Sequence, residues 1–114
     1  MLPKRISKPA KRASRWKSQA HCAFVRSHAC SVCGSMTAIE VAHVRLGAGA
    51  GMGQKPDDWH TVSLCSQCHQ RQHSTGERSF WSSANIDPIA LADEFAKASP
   101  KAADIASVKR MREA

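Results

Sequence analysis

The segment Leu64-Cys65-Ser66-Gln67-Cys68-His69-Gln70-Arg71-Gln72-His73, together with Cys30-Ser31-Val32-Cys33 upstream, decides the fold. Each cysteine pair has the C-x2-C spacing of a tight thiol knuckle, and residues 34–64 lie between the two pairs. Two such knuckles predict four thiolates around one tetrahedral Zn2+, a structural staple, and Gly34 suits the turn after the first pair. In a chain expected to stay in a reducing compartment, this reading is favoured over two disulfides. Two other metal chemistries use parts of the pattern. Cys65-Ser-Gln-Cys68-His69 matches the haem-attachment signature C-x-x-C-H, but that leaves the first pair unexplained and belongs to exported proteins; an iron–sulfur cluster also takes four thiolates, and spacing does not exclude it. The fifth cysteine, Cys22, falls outside the pattern and reads as a small buried apolar residue.

Downstream of the second knuckle, Ser66 to Ser74 reads as a short helix ended by Gly76. On a helix, positions i and i+4 share a face, so His69 and His73 can reach one cation. Upstream, Ile39-Glu40-Val41-Ala42-His43-Val44 alternates as a strand does and is expected to form the second arm of a hairpin beginning near Met36. Leu46 to Asp58 then reads as a loop carrying Gly47, Gly49, Gly51 and Gly53, which permits close backbone approach, for example by a phosphate. The separation of the knuckles exceeds the roughly 15–20 residues of a simple zinc ribbon, so an insert carrying His43 and His60 sits between the halves of the staple.

Taken together, an Ala-His at a strand end, a long loop, a polar residue nine positions before the His-x3-His helix, and flanking C-x2-C pairs resemble the HNH endonucleases. The particular strings are Ala42-His43-Val44-Arg45, Gly51-Met52-Gly53-Gln54-Lys55-Pro56-Asp57-Asp58 and Leu64-Cys65, and the stretch from Val25 to about Trp81 resembles the small HNH proteins of phages and prophages. The resemblance implies a zinc-stapled ββα-metal core and metal-dependent hydrolysis of DNA phosphodiester bonds. It implies that His43 is the general base and that His69 and His73 hold a catalytic divalent ion (Mg2+, Mn2+ or Zn2+). His60 falls where the family commonly has Asn, a residue that orients the base or the strand connection. Ala42 departs from the Asp or His that many members carry before the base, leaving Glu40 or Asp58 as candidates for a third metal ligand. By position, Arg45 or Arg71 could clamp a phosphate. The implied partner is DNA, in the cytoplasm of a bacterial host cell, with a recombination or packaging protein as a further candidate; oligomeric state is left open.

Charge supports a polyanion partner. The chain has 114 residues and a net charge of +8, yet all of the excess lies before Glu40: Lys4, Arg5, Lys8, Lys11, Arg12, Arg15, Lys17 and Arg26. From residue 40 onward nine basic residues balance nine acidic ones. Residues 1–19, with Pro3 and Pro9, cannot bury enough apolar surface to offset ordering entropy and read as a mobile arm for phosphates. Trp16 could stack on a base or cover the domain edge. Nucleic-acid contacts are expected from the arm residues other than Arg26, and from Arg45 and Lys55. No export signal follows the positive start, no run of 18 apolar residues exists, and no amphipathic apolar face accompanies the charges. A membrane role is therefore not expected, and neither is a large multi-domain enzyme.

Toward the C-terminus, Glu77 to Asn85 is expected to form a short helix or turn, setting Phe80 and Trp81 against the staple. Asp87-Pro88 starts a helix with face Ile89, Ala92, Phe95 and Ala96; Ile105, Val108 and Met111 mark a last stripe. The sequence thus predicts an α+β protein: a basic arm over 1–19, a zinc-stapled HNH core over 20–81, and a helical extension over 82–114. Two other functions fit parts of the pattern. One is a non-catalytic zinc-stabilised nucleic-acid-binding module, with His60 and Ala42 as signs of decay; the other is a zinc-stabilised adaptor for a partner protein.

Overall fold

Every residue of the strand Thr61–Cys65 is buried, although two of the five are polar. Val62 and Leu64 enter an apolar cluster with Ala42, Val44, Phe80, Trp81 and Ala92. The opposite side carries Thr61 and Ser63, whose hydroxyls are satisfied internally: Thr61 Oγ1 donates to the Asp58 carbonyl at 2.7 Å and Ser63 Oγ to the Ala29 carbonyl at 2.7 Å. Ser31 N–H donates to the Ser63 carbonyl at 2.9 Å, tying the first knuckle to the strand's edge. Burying polar groups is tolerable because each has a partner.

The computed structural model describes residues 15–47 and 55–113. Elements run α1 (Gln19–Arg26), β1 (Ile39–His43), β2 (Thr61–Cys65), α2 (Ser66–Thr75), α3 (Glu77–Ala84), α4 (Pro88–Ala98) and α5 (Ala102–Glu113). The chain is α+β. β1 and β2 pair antiparallel, with Ile39 opposite Cys65 and His43 opposite Thr61. The expected hairpin from Met36 is corrected here: β1 pairs downstream, across the long loop. Residues 31–33 form the knuckle turn, residues 34–38 carry no strand, and Met36 is 71% exposed.

Local signals set the helix ends. Gly34 has φ +76° and donates its N–H to the Cys30 carbonyl, closing the first knuckle. Gly76 has φ +95°, ends α2 and starts α3; a side chain there would be strained. Asp87 caps α4 by accepting from the Ile89 and Ala90 N–H groups, with Pro88 at the first turn. Phe80 and Trp81 of α3 pack in the cluster that contains Cys30, Cys65 and Cys68, so the division expected at residue 81 cuts through a helix.

A second cluster joins Trp59, Ala96 and Ile105 with Trp16 and Val108. Trp16 therefore covers the domain edge, and α4 and α5 belong to the same body as the sheet. Two positions of the stripes read from the sequence, expected to be core or dimer surface, are exposed in the chain: Ile89 is 48% and Met111 74% exposed. At the end of α5 it is Lys109 and Arg112, not Met111, that lie over the Trp59 ring, at 5.5 and 5.0 Å from its centroid.

α1 is an element that the residue pattern does not announce. Ser18 caps it by accepting from the His21 N–H, and His21 is fully buried, with Nδ1 2.7 Å from Ser99 Oγ. Its Nε2 has no partner among the described residues. Burial lowers the His21 pKa below 6.5, against the opposing pull of Asp58, and burial lowers that of His60 as well. Below pH 6.5 the unfolded chain binds more protons than the folded one at these rings. Their stabilisation is present in full above that pH and is lost as pH falls through the folded-state values. Urea midpoints should therefore drop between about pH 7.5 and about pH 5.5, and His21→Phe should flatten the slope; an unchanged slope would remove His21 from the account.

Candidate functional site

Four thiols meet beside the core. The Sγ atoms of Cys30, Cys33, Cys65 and Cys68 all lie within 4.8 Å of one another, three from buried residues and one, Cys33, from an exposed one. No pair is bonded: Cys33 and Cys65 Sγ are 3.6 Å apart, far beyond the roughly 2.05 Å of a disulfide. Each knuckle aims a main-chain N–H at a sulfur, Cys33 N at Cys30 Sγ and Cys68 N at Cys65 Sγ, both at 3.5 Å, and Arg71 Nη2 donates to Cys68 Sγ at 3.3 Å. Burial would raise the Cys30 thiol, but the main-chain N–H groups of Cys33, Cys65 and Val32 bring it down to about 6. Burial, with the surrounding thiols, pushes Cys68 up to about 12 against the pull of Arg71. Four converging sulfurs, with donors directed at three of them, could hold a soft metal ion. Cys22 stands apart, as expected, but is only partly buried; burial and the Asp58 charge raise it to about 11.

Across the sheet, a cleft of about 630 Å³ is lined by His43 at the end of β1, Arg45 just beyond it, Lys55, and His69, Gln72 and His73 from α2. The helix spacing brings His69 and His73 together: their Nε2 atoms are 3.2 Å apart. Two nitrogens each about 2.0–2.1 Å from one ion stand roughly 2.9–3.4 Å apart for right-angled to tetrahedral geometry, so this pair fits a shared cation. Glu40 sits on the other side of His69, its Oε1 2.8 Å from Nδ1. It therefore holds the ring and turns Nε2 toward His73, the part usually played by a carboxylate behind a ligand imidazole, rather than reaching the ion itself. Among the described residues, the four cysteines are the one group of three or more such donors within 4.8 Å. No third metal-ligating side chain joins the histidine pair among the described residues.

His43 is held from the β1–β2 connection. Its Nε2 lies 3.0 Å from Asp58 Oδ1, and the same oxygen accepts from Arg15 Nη1 at 2.8 Å. The Ser18 N–H donates to Oδ2 at 2.9 Å. Burial would raise the Asp58 carboxyl, but the Ser18 N–H, His43 and Arg15 together hold it below the usual carboxylate value. With a guanidinium on one oxygen and an amide on the other, Asp58 is not available to the cation expected at His69 and His73. His60 connects through its main chain: its carbonyl accepts from the Val44 N–H at 2.7 Å, closing the connection after β1, while its ring lies beside Trp59.

The basic residues divide into groups. Lys4, Arg5, Lys8, Lys11 and Arg12 lie outside the described residues, as do Gly49, Gly51 and Gly53 of the loop. Arg15 is engaged with Asp58 and the Pro56 carbonyl, so residues 15–18, assigned to the arm by charge, lie on the core. Lys17 is exposed, and Arg45 and Lys55 line the cleft. Arg71 is spent on Cys68. Two residues the sequence did not signal help to shape the cleft. The Glu77 carboxylate accepts from the Arg45 and Leu46 N–H groups at 2.9 and 3.0 Å, fixing the cleft's rim, and Gln72, 4% exposed, lines the cleft along with the two histidines. The acid pair Asp57-Asp58 before Trp59 was the available hint for Asp58.

The fold and site define a small α+β protein with a candidate cysteine metal centre backing a histidine cleft. A family model matches residues 4–95: that of DUF968, described as a protein of unknown function, and the chain belongs to this family. The matched stretch takes in both knuckles and every histidine and ends within α4, leaving α5 outside it. No curated protein and no solved structure matches the chain. Among the described residues, no helix is long and apolar enough to cross a membrane.

Proposed function

We propose that the protein is a metal-dependent endonuclease that hydrolyses DNA phosphodiester bonds, built on a zinc-stapled ββα-metal core like that of the HNH enzymes. The observation that carries this reading is the 3.2 Å approach of the His69 and His73 Nε2 atoms in the cleft that His43 also lines. Zn2+ is the fitting occupant of the four-thiolate site, where it would be a structural staple; β1 and α2, joined through β2, then present the three imidazoles. A divalent ion held by His69 and His73 supplies neutralisation of charge on the phosphoryl and leaving oxygens.

The chain's own residues do the rest. His43 takes a proton from water as the water oxygen bonds to phosphorus; the bond to the 3′ oxygen breaks, and that oxygen leaves with a proton from solvent. Neutral imidazole accepts a proton readily near neutrality. Arg45 and Lys55, on the cleft wall, suit contacts to the flanking phosphates, and the basic N-terminal stretch adds salt-dependent, sequence-blind affinity. Glu77, by pinning the Arg45 and Leu46 main chain, keeps that wall in place.

One observation favours a second reading, a zinc-stabilised nucleic-acid-binding module without catalysis: the histidine pair has no third protein ligand among the described residues. A plasmid-nicking assay with Mg2+, Mn2+ or Zn2+ separates the two. The enzyme should convert supercoiled to nicked circles in at least one of these ions. Binding that weakens with salt, without nicking in any of them, would leave the binding module. Absence of salt-sensitive DNA affinity would instead favour an adaptor for a protein partner.

A further inference from the structure

A general base must present a lone pair to water, and His43 has two ring nitrogens with different surroundings. Nε2 faces Asp58 Oδ1 at 3.0 Å, while the ring lines the cleft and its side chain is 22% exposed. Asp58 is fixed from independent directions: Arg15 Nη1 at 2.8 Å on the same oxygen, and the Ser18 N–H, at the start of α1, at 2.9 Å on the other. With its side chain only 9% exposed, this carboxylate has little freedom to turn away. A carboxylate accepts hydrogen bonds and does not donate them, so the nitrogen opposite it must carry the hydrogen.

We propose that Asp58 is the positioning residue for His43: by accepting the Nε2–H it locks the ring in one tautomer and leaves Nδ1 as the atom that takes the proton from water. The inference rests on the nuclease reading for its purpose, although the tautomer itself does not. Asp58 also faces the positive ring formed when His43 accepts the proton, and so stabilises it. Arg15 shares the oxygen and keeps the carboxylate charged and in place. The competing account is that Asp58 merely staples residues 15–18 to the β1–β2 connection and touches His43 incidentally. That account predicts that Asp58→Asn lowers stability without a selective loss of nicking.

The test reads the ring directly. In protein labelled with 15N at histidine, the two-bond nitrogen–proton spectrum at mildly alkaline pH should show His43 in the Nε2–H form, and Asp58→Asn should move its population toward Nδ1–H. Nicking by Asp58→Asn should fall on the order of 10²–10⁴-fold, with DNA affinity unchanged, since a wrong tautomer disables a base without displacing it. Asp58→Glu, which keeps the charge, should recover part of the loss. Wild-type His43 protonated at Nδ1 would overturn the inference, and this needs no variant to fold. So would a tautomer indifferent to Asp58→Asn. If the tautomer behaves as expected but the wild type never nicks DNA, the enzyme reading fails and the positioning of the ring stands.

Discussion

Cys65→Ser is expected to unfold the protein rather than weaken it. Cys65 is the last residue of β2, the cap of α2, a member of the main apolar cluster and a candidate metal ligand. Serine could imitate the cap but is a poor ligand for a soft metal. What a metal held by the four thiols would contribute is large on the scale of the whole fold. Structural Zn2+ supplies an apparent stabilisation of about 10–16 kcal/mol in small zinc-dependent peptides, whereas a complete domain is stable by only about 5–15 kcal/mol. The rest of this chain has little to substitute. A two-stranded sheet is marginal by itself, and no disulfide closes the chain among the described cysteines. The variant, and wild type treated with a strong chelator, should lose cooperative thermal melting, and metal analysis of native wild type should return one zinc per chain. A variant that binds no metal yet melts within a few degrees of wild type would show that the thiols are not the staple.

His43→Ala is expected to abolish nicking while leaving the fold and DNA affinity intact. The base contributes roughly 10²–10⁴-fold in rate, equivalent to about 2.7–5.4 kcal/mol of transition-state stabilisation. Little of the fold depends on the ring. His43 ends β1, its side chain is 22% exposed, and Asp58 would keep both Arg15 and the Ser18 N–H without it. Melting temperature and salt-dependent DNA binding should therefore match wild type. His60→Ala should have a much smaller effect on nicking, because the contact that closes the strand connection is made by the His60 carbonyl and survives the change. Nicking by His43→Ala within about tenfold of wild type would put the base elsewhere, since general-base action is worth more than that.

Some of this molecule can be read along the chain because the signal and its consequence are neighbours. The C-x2-C knuckles, the His69–His73 face of α2, the glycine turns at residues 34 and 76 and the Asp87 cap each follow from residues within a few positions of one another. Their conformations are governed by local sterics and local hydrogen bonds, and periodicity is enough to see them. Even the convergence of four thiols needed only the assumption that one metal gathers both pairs.

The pairing of β1 with β2 is different in kind. Alternation marks Ile39–His43 as a strand but says nothing about its partner; Met36 was the nearer choice, and the knuckle's own turn ruled it out. Asp58 meets His43 across 15 positions, Arg15 meets Asp58 across 43, and His21 meets Ser99 across 78. Each of these contacts unites a polar group with one distant in sequence, and each exists because buried polar atoms must find partners wherever the packed chain offers them. The identities of the candidate metal-binding and imidazole-bearing residues were thus determined by the amino-acid order alone. Which carboxylate holds which ring, and that Glu40 and Asp58 stand behind histidines rather than at a cation, was decided only when the helices closed over the sheet, because burial, not spacing, selects those partners.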